Sequence, residues 1–422
     1  MARPSKKRFD LNTRQINFIK SKLGISKIED VDVAAMKLLK EKLKDLNDVR
    51  IKKKTKFKLW DIIICTVLAV LFGANSWEDI HDFAEEHYEF LRKFLLMTGG
   101  IPCKETYERV LSIIDSKELE DIFNDFLMIF SINKSLEKDI MDIDGRVTRG
   151  SSRNETAFNK KIKPLNVLNV YSNNYGICLA SEMIDNKTNE ITAIPNILKR
   201  FNVKGNIITW DALNTQTKNI EMVIDLKGDY VVPIKGNQKN FCNDLKEYFD
   251  EKTLECIKAG RNDSEYLSYN EKRGSNTIIY EYYQTDDIKW YEEKDKWKGL
   301  KTIGAVKKSI YDGIHKKPRV EMRYYISSLK VSINLFSKAI RNHWSVENKL
   351  HWHLDFTFKQ DENTTTNKKA LFNLELINKF CLGLLNRVKP YYNNISLRRI
   401  RKIISYNFEK SLVNMMCYLA LN

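Results

Sequence analysis

The order of apolar and polar positions divides the chain into a helical part and a mixed part. From residue 59 to about residue 135, apolar side chains recur at the spacing that places them on one face of an α-helix. A more polar, lysine-rich helical pattern covers residues 28–46. We therefore predict a basic N-terminal segment at residues 1–55 and an all-helical domain at residues 56–135.

The periodicity changes at about Asp139, where short apolar runs separated by turn residues begin. Strands are predicted at residues 140–144, 165–171, 175–183, 206–210 and 229–234, and helices at residues 191–199 and 215–226. This alternation is typical of a mixed α/β sheet. We assign residues 136–422 to a second domain, and the fold class is α+β.

A second β-rich stretch, at about residues 250–330, interrupts this domain. Its predicted strands lie at residues 277–284, 302–310 and 320–326, and a helix is expected to start near Ser332 or Asn334. Helical patterns then cover residues 373–385 and 397–421. We interpret the stretch as an insertion before the C-terminal helices.

Charge and cysteine content indicate the partner and the compartment. The chain has 422 residues and a net charge of +16, which favours a polyanion such as nucleic acid over a merely basic surface. Seven scattered cysteines without a CxxC motif are typical of a reducing compartment. The longest apolar run, residues 62–74, is shorter than the roughly 20 residues of a membrane span. We expect a cytoplasmic protein without a membrane segment.

Acidic residues at particular positions predict a metal site. Asp144 and Asp211 each follow a strand-like run, and Glu347 lies in a predicted helix. Two carboxylates from strand ends and one from a helix can hold two Mg²⁺ or Mn²⁺ ions, which catalyse phosphoryl transfer. Asp142, two residues before Asp144 on the same strand face, is a rival ligand. An Asp-Gly pair after a strand is also often only a turn.

Three of the six histidines fall in the segment Arg341-Asn-His343-Trp344-Ser-Val-Glu347-Asn-Lys-Leu-His351-Trp-His353-Leu-Asp355. In a helix, His343, Glu347 and His351 share a face, so that the carboxylate lies between two imidazoles. A zinc site is an alternative, although the HExxH order is missing. A hydrogen-bonded helix face or imidazoles that orient phosphates are the other readings.

The segment Lys235-Gly-Asn237-Gln238 follows a predicted strand and can open a helix. Its lysine and amides could bind phosphate, although a simple turn explains so short a motif equally well.

Together these segments resemble the DDE transposases of the ISAs1 insertion-sequence family, which includes the H-repeat-associated proteins. The resemblance runs from about residue 56 to residue 385. Its N-terminal part rests on Leu68-Ala-Val-Leu-Phe-Gly-Ala-Asn-Ser-Trp77-Glu-Asp-Ile80 and Gly100-Ile-Pro-Cys-Lys-Glu-Thr106. Its core part rests on Asp144-Gly-Arg-Val-Thr-Arg-Gly150-Ser151, Asn189-Glu190-Ile191, Thr209-Trp-Asp211-Ala-Leu-Asn-Thr-Gln216, Lys235-Gly-Asn-Gln238 and the histidine-rich segment.

The resemblance implies an RNase H-like catalytic core with Asp144, Asp211 and Glu347 as its triad and as ligands of two Mg²⁺ or Mn²⁺ ions. It implies cleavage at the terminal inverted repeats of a bacterial insertion sequence, strand transfer into target DNA, a homo-oligomer on DNA and association with the nucleoid. Within the matched segments, we predict that nucleic-acid-binding or auxiliary roles belong to Arg146, Arg149, Lys235, Asn237, Gln238, Arg341, His343, Trp344 and His351.

The chain departs from the family pattern at three places. Arg146 replaces a usual lysine, Asn166-Val-Leu-Asn169 replaces a histidine-containing segment, and the residues from Asn363 to Lys369 replace an arginine-rich one. These departures leave two alternatives to an active transposase. One is a non-catalytic DNA-binding copy, and the other is a structure-specific, metal-dependent nuclease on the same fold.

Overall fold

The computed structural model describes residues 11–130, 138–155, 160–184, 190–315 and 317–422. The N-terminal ten residues of the basic segment and the predicted domain boundary at residue 135 lie outside these ranges. The helices are α1 (Thr13–Leu23), α2 (Val31–Leu43), α3 (Leu59–Phe72), α4 (Trp77–Glu86), α5 (Tyr88–Leu91), α6 (Lys104–Leu111), α7 (Ser116–Ile129), α8 (Glu190–Leu198), α9 (Thr217–Asp225), α10 (Lys239–Tyr248), α11 (Glu251–Lys258), α12 (Ile333–Val346), α13 (Lys368–Val388), α14 (Leu397–Ser405) and α15 (Phe408–Leu421). The strands are β1 (Ile140–Thr148), β2 (Arg153–Glu155), β3 (Lys160–Ile162), β4 (Leu165–Ser172), β5 (Ile177–Ile184), β6 (Ile207–Trp210), β7 (Asp229–Ile234), β8 (Ser264–Arg273), β9 (Asn276–Thr285), β10 (Thr302–Tyr311) and β11 (Arg319–Ser327).

A mixed sheet forms the centre of the molecule. Its described strands follow the order β5-β4-β1-β6-β7-β11-β10-β9-β8. β1, β6 and β7 are parallel, whereas β4 is antiparallel to both of its neighbours. Parallel neighbours require crossover connections, and α9 supplies the one between β6 and β7. The first five strands of this order have the RNase H-like arrangement, which confirms the predicted fold class.

The β-rich insertion continues the same sheet. β11 pairs antiparallel with β7, with Tyr324 opposite Ile234 and Ser327 opposite Val231. Three of its strands were predicted, and β8 and α11 were missed. Before the insertion, α10 begins at Lys239, directly after the Lys235–Gln238 segment that was expected to open a helix. β8 is an edge strand paired only with β9, and its polar sequence has no clean alternation because only one edge and part of one face are covered.

The helices before and after the sheet share one apolar core. α3 is buried at every residue except Trp60, and the long helix α13 packs against α3, α6 and α7 as well as β5. α15 packs against α1 and α2. A helix that is apolar all round must be enclosed by other elements, which explains why α3 lies at the centre of this cluster. Among the described residues, no single helix is long and apolar enough to cross a membrane, and the pair α3–α4 that passes together is bent by 98°.

Two further cores cover the two faces of the sheet. One contains Met141 and Ile143 of β1 together with residues of α8, α9 and α10. The other contains Ile140 of β1 together with Phe336 and Ile340 of α12. Because side chains alternate along a strand, Asp144 lies on the α12 face with Ile140.

Candidate active site

Three different elements bring the predicted carboxylates to one edge of the sheet. Asp144 lies within β1 with its Cα opposite Asn169 of β4. Asp211 directly follows β6, the parallel neighbour of β1. Glu347 directly follows α12, which packs on the same face as Asp144. The sequence order strand, strand, helix therefore becomes a spatial cluster.

Gly145 corrects one interpretation of the sequence. The Asp144-Gly145 pair was read as a strand end followed by a turn, but β1 continues through Gly145 to Thr148. A β-carbon on Gly145 would lie 2.2 Å from Oε1 of Glu190, so that the carboxylate of Glu190 would have to move aside. The glycine allows a close approach between β1 and the start of α8. Glu190 in turn accepts a hydrogen bond from Nδ2 of Asn214 at 3.1 Å, beyond Asp211.

The helix that carries Glu347 changes its winding at this residue. Residues Glu347–His351 and His353–Thr357 form π-helical turns, in which the Trp352 N–H bonds to the Glu347 carbonyl. The N–H of Phe358 bonds to the carbonyl of His353 at 3.0 Å. π-Helical turns are rare and often lie at functional sites. The predicted continuous α-helix across this segment is therefore wrong beyond Val346.

The two histidines contact different carboxylates. Nδ1 of His351 lies 2.9 Å from Oε2 of Glu347 and 3.6 Å from Oδ2 of Asp144. Nε2 of His343 lies 3.4 Å from Oδ1 of Asp211, and its Nδ1 lies 4.0 Å from Oδ1 of Asp142. We predicted one carboxylate between two imidazoles. The structure instead pairs each imidazole with carboxylates of the sheet, and only His351 contacts Glu347.

Burial and these neighbours change the proton affinity of the cluster. Burial raises the pKa of Asp142 to about 7 and that of Asp144 to about 6, against the effect of His343 and His351 respectively. The hydrogen bond from His343 lowers the pKa of Asp211. Burial alone would lower the pKa of His343, but Asp211, Asp142 and Asp144 outweigh it and raise the pKa. The cluster therefore favours a cation in its centre.

The donor set suits a hard divalent ion. One ligand atom each from Asp144, Glu347 and His351 lies within 4.8 Å of the others, and no second group of this kind occurs among the described residues. Carboxylate oxygens are the ligands that Mg²⁺ and Mn²⁺ prefer. Asp211, 60% exposed, lies outside this group, and its carboxylate contacts His343, whose charge also acts on Asp144. The rival Asp142 is 0% exposed, and its carboxylate accepts from the Asn173 amide.

The Lys235–Gln238 segment lies beside the turn that follows Asp211. Lys235 is exposed, and its charge helps to lower the pKa of Asp211. Nδ2 of Asn237 donates to the carbonyl of Ala212 at 2.7 Å. Nε2 of Gln238 donates to the carbonyl of Thr215 at 3.1 Å. Both amides are thus used to fix this turn, and the lysine remains toward solvent.

Cationic and aromatic side chains alternate next to the site, on a surface that we call the aromatic–basic surface. The guanidinium of Arg341 lies 4.4 Å from the ring centre of Tyr269, and that of Arg323 lies 5.0 Å from Trp344. Nζ of Lys308 lies 5.9 Å from the ring of Tyr280, which is buried beneath this surface. Arg341 and Trp344 were singled out from the sequence. The other four residues come from β8–β11 and were not, because only the sheet brings them together.

Two predicted arginines differ in their surroundings. Arg149 is exposed, and its backbone N–H donates to Oδ1 of Asp361 at 2.8 Å. Arg146 is buried, with its side chain 4% exposed, and it pairs with Asp355 and Glu375. Arg146 is therefore not placed to contact nucleic acid. The sequence did not indicate that Arg146 is buried, because an arginine that follows an Asp-Gly pair is expected in an exposed turn.

Comparison with known proteins places this geometry in a family. Residues 40–127 match the family described as DDE_Tnp_1-associated, and residues 135–383 match the family described as Transposase DDE domain. YbfL and the H repeat-associated YhhI, both of Escherichia coli (strain K12), are each 33% identical over 375 residues, which are 87% of this chain and 95% of each relative. A protein from the dhlA 3′ region of Xanthobacter autotrophicus is 31% identical over 59% of this chain and 80% of its own length.

Among solved structures, the piggyBac transposase synaptic complex with hairpin DNA is similar over 95% of this chain and 81% of that chain. Its identity of 13% and TM-score of 0.36 are too low to support an argument about fold or function. The family match and the curated relatives carry the assignment. The chain belongs to the DDE transposase family, in the group that includes the H repeat-associated proteins.

Proposed function

We propose that this chain is an active transposase that cleaves DNA at the ends of an insertion sequence and joins those ends to target DNA. The observation that carries the proposal is the approach of Asp144, Glu347 and His351 to within 4.8 Å at one edge of an RNase H-like sheet. A non-catalytic copy has no need to keep such a costly group of carboxylates together. The retained cluster therefore favours catalysis over binding alone.

The three acidic residues share one role in this proposal. Asp144, Glu347 and Asp211 would together hold the divalent ions, Mg²⁺ or Mn²⁺. When bound, the ions activate the attacking oxygen and neutralise charge on the leaving oxygen. His351 holds the Glu347 carboxylate at 2.9 Å, and His343 holds that of Asp211 at 3.4 Å. Both histidines thus keep the two carboxylates oriented toward the metal site before DNA binds.

The aromatic–basic surface is the proposed path of the DNA beside the site. Arg341 and Trp344 lie on α12, in the turns just before Glu347. Guanidinium groups bind phosphates, and aromatic rings stack on bases. Lys235 and Arg149 are exposed at the same edge and extend the basic surface. The partners in this proposal are the terminal inverted repeats and target DNA, within the bacterial nucleoid, and the active form is a homo-oligomer on DNA.

The domain organisation remains part of the proposal. The helical domain at residues 56–135 and the basic segment at residues 1–55 would bind DNA, and residues 136–422 would form the catalytic domain. The helix α13 of the catalytic domain packs against α3 of the helical domain, and α15 packs against α2 of the basic segment. DNA held by one domain is therefore held in a fixed relation to the other.

The test uses purified protein, Mg²⁺ or Mn²⁺ and labelled DNA that carries the ends of the flanking element. Wild-type protein is expected to yield nicked and joined products, and Asp144→Asn is expected to bind DNA without cleaving it. Asp142→Asn, two residues away on the same strand face, decides between the two rival carboxylates, and it is expected to retain cleavage. Asp225→Asn on the surface of α9 is the outer control.

The outcomes separate the alternatives. Binding without cleavage by the wild type would indicate the non-catalytic copy. Hydrolysis without joined products would indicate the metal-dependent nuclease. Equal cleavage by wild type and Asp144→Asn would overturn the assignment of Asp144.

A further inference from the structure

A buried ion pair lies directly behind the metal-capable group. Arg146 follows Asp144 by two residues in β1 and therefore lies on the same face of the sheet. One of its terminal nitrogens pairs with Asp355. Its other terminal nitrogen donates to Oγ1 of Thr148 at 3.1 Å and lies 3.5 Å from Oε2 of Glu375. The guanidinium is thus held on two sides within the strand that carries Asp144.

Asp355 lies in the second π-helical turn, His353–Thr357, which follows the first turn, Glu347–His351, after Trp352. A rotation or shift of this helix would move Glu347, His351 and Asp355 together, because they share one hydrogen-bonded segment. π-Helical turns are rare and occur mostly as single turns within α-helices. The contact with Arg146 fixes the far end of this segment to β1.

Glu375, the second carboxylate that contacts Arg146, is itself held by further contacts. Glu375 of α13 is 0% exposed, and its Oε1 lies 2.7 Å from Nζ of Lys379. Nζ of Lys379 also donates to Oδ1 of Asn169 at 2.5 Å and to Oγ of Ser181 at 3.0 Å. Asn169 is the cross-strand partner of Asp144. These contacts therefore connect β1, which carries Asp144, with the neighbouring strand β4.

Burying the three charges of Arg146, Glu375 and Lys379 is an expensive way to stabilise a fold, since well-packed apolar side chains serve as well or better. A buried ionic network can instead supply a unique arrangement of the elements that it joins, and here each charge has an oppositely charged partner, although Nε of Arg146 has no hydrogen bond among the described residues. Here those elements are the strand of Asp144 and the helix of Glu347 and His351.

We propose that Arg146 and Asp355 are positioning residues that set the separation between Asp144 and the Glu347–His351 turn, and so set the affinity of the site for divalent metal. The inference rests on the proposed function, because it assumes that this group binds metal. It replaces the earlier expectation that Arg146 contacts nucleic acid.

The test measures Mn²⁺ binding directly, by the electron paramagnetic resonance signal of free Mn²⁺ in a titration of the full chain without DNA. The variant is Asp355→Asn, because it leaves Arg146 paired with Glu375 and so is expected to fold. The matched control is Asp287→Asn. Asp287 is 27% exposed and lies 2.6 Å from Arg261, and Asp355 is 29% exposed beside Arg146.

Asp355→Asn is expected to weaken Mn²⁺ binding by about 10- to 100-fold, as losses behind a metal ligand usually do, and Asp287→Asn is expected to leave it unchanged. Asp355→Glu, which restores the charge, is expected to recover part of the affinity. DNA affinity should not change in any of the three.

Equal Mn²⁺ affinity in wild type and Asp355→Asn would overturn the positioning role while leaving the proposed function intact. An equal loss in Asp355→Asn and Asp287→Asn would also overturn it, because the effect would then be general destabilisation. Absence of Mn²⁺ binding by the wild type itself would overturn the proposed function, and this inference with it.

Discussion

The guanidinium of Arg401 donates to the carbonyl of Val70, through Nε at 3.0 Å and Nη2 at 2.7 Å. The same group donates to the carbonyl of Ala74 at 2.7 Å and to Oδ1 of Asn75 at 2.9 Å, and also to the carbonyl of Thr357. One side chain of α14 thus satisfies the end of α3 and the last π-helical turn. The N-terminal helices, the C-terminal helices and the active-site helix meet at this residue.

Replacing Arg401 with Met should lower the free energy of unfolding by about 3 kcal/mol or more, because several buried carbonyls lose a charged donor. The control is Arg399→Met on the same helix, where the side chain is exposed and the effect should stay within about 0.5 kcal/mol. Urea unfolding followed by circular dichroism measures both. Similar midpoints for the two variants would contradict the assignment.

Replacing Arg146 with Met should destabilise the fold by about 3–5 kcal/mol, because the buried carboxylate of Glu375 loses one of its two cationic partners. Arg146→Lys keeps the charge and should cost less, although it cannot reach Asp355, Thr148 and Glu375 at once. Arg149→Met, an exposed arginine nearby, is the control and should be neutral. Denaturant unfolding of the three variants tests this order.

Glu375 should give the fold a characteristic acid dependence. Its burial opposes ionisation, but Lys379 and Arg146 outweigh the burial and lower its pKa. A carboxyl whose folded pKa is depressed contributes stability above its unfolded pKa, about 4.3, and loses it as the pH falls through the folded value. The stability difference between wild type and Glu375→Gln should therefore be constant from pH 7 to about 5 and shrink below that. Urea midpoints that differ equally at pH 7 and pH 3 would contradict it.

Gly145→Ala should be destabilising by about 1 kcal/mol, because its β-carbon would overlap the Glu190 carboxylate at 2.2 Å and the end of this flexible side chain would have to move. The loss should be smaller when Glu190 is already Ala, since the space is then open. A double-mutant cycle of unfolding free energies measures this coupling. Additive effects of the two substitutions would show that the close approach is not the reason for the glycine.

The aromatic–basic surface should show itself in the salt dependence of DNA binding. Arg323→Ala and Arg341→Ala should each weaken binding and reduce the slope of log affinity against log salt by about 1, the change expected for one lost phosphate contact. Lys410→Ala, an exposed position on α15, is the control and should leave the slope unchanged. Fluorescence anisotropy at several salt concentrations measures the slopes. An unchanged slope in Arg323→Ala would place the DNA elsewhere.

The sequence predicted most of the strands well because they are strongly apolar and bounded by turns. β7 matches its predicted bounds, and β6 ends one residue before Asp211 as expected. β8 was missed because an edge strand needs little apolar surface. Its pairing with β9 is specified by the neighbouring strand more than by its own residues.

The π-helical turns and the ion pairs of Arg146 could not be predicted from the sequence, for a different reason. The π-helical turn at Glu347 has the same apolar spacing as an α-helix to within one residue, so periodicity cannot distinguish the two. The partners of Arg146 are 209 and 229 residues away in the chain, and only the packing of α13 against the sheet brings them together. The family resemblance identified which acids to examine, but it did not reveal what holds them.

The continuity of the sheet has a consequence for the insertion. β11 is paired with β7 from Tyr324 to Ser327, and β7 is paired with β6. Because neighbouring strands of one sheet share its twist, a change of twist in the insertion would pass through β7 to β6, the strand that ends immediately before Asp211.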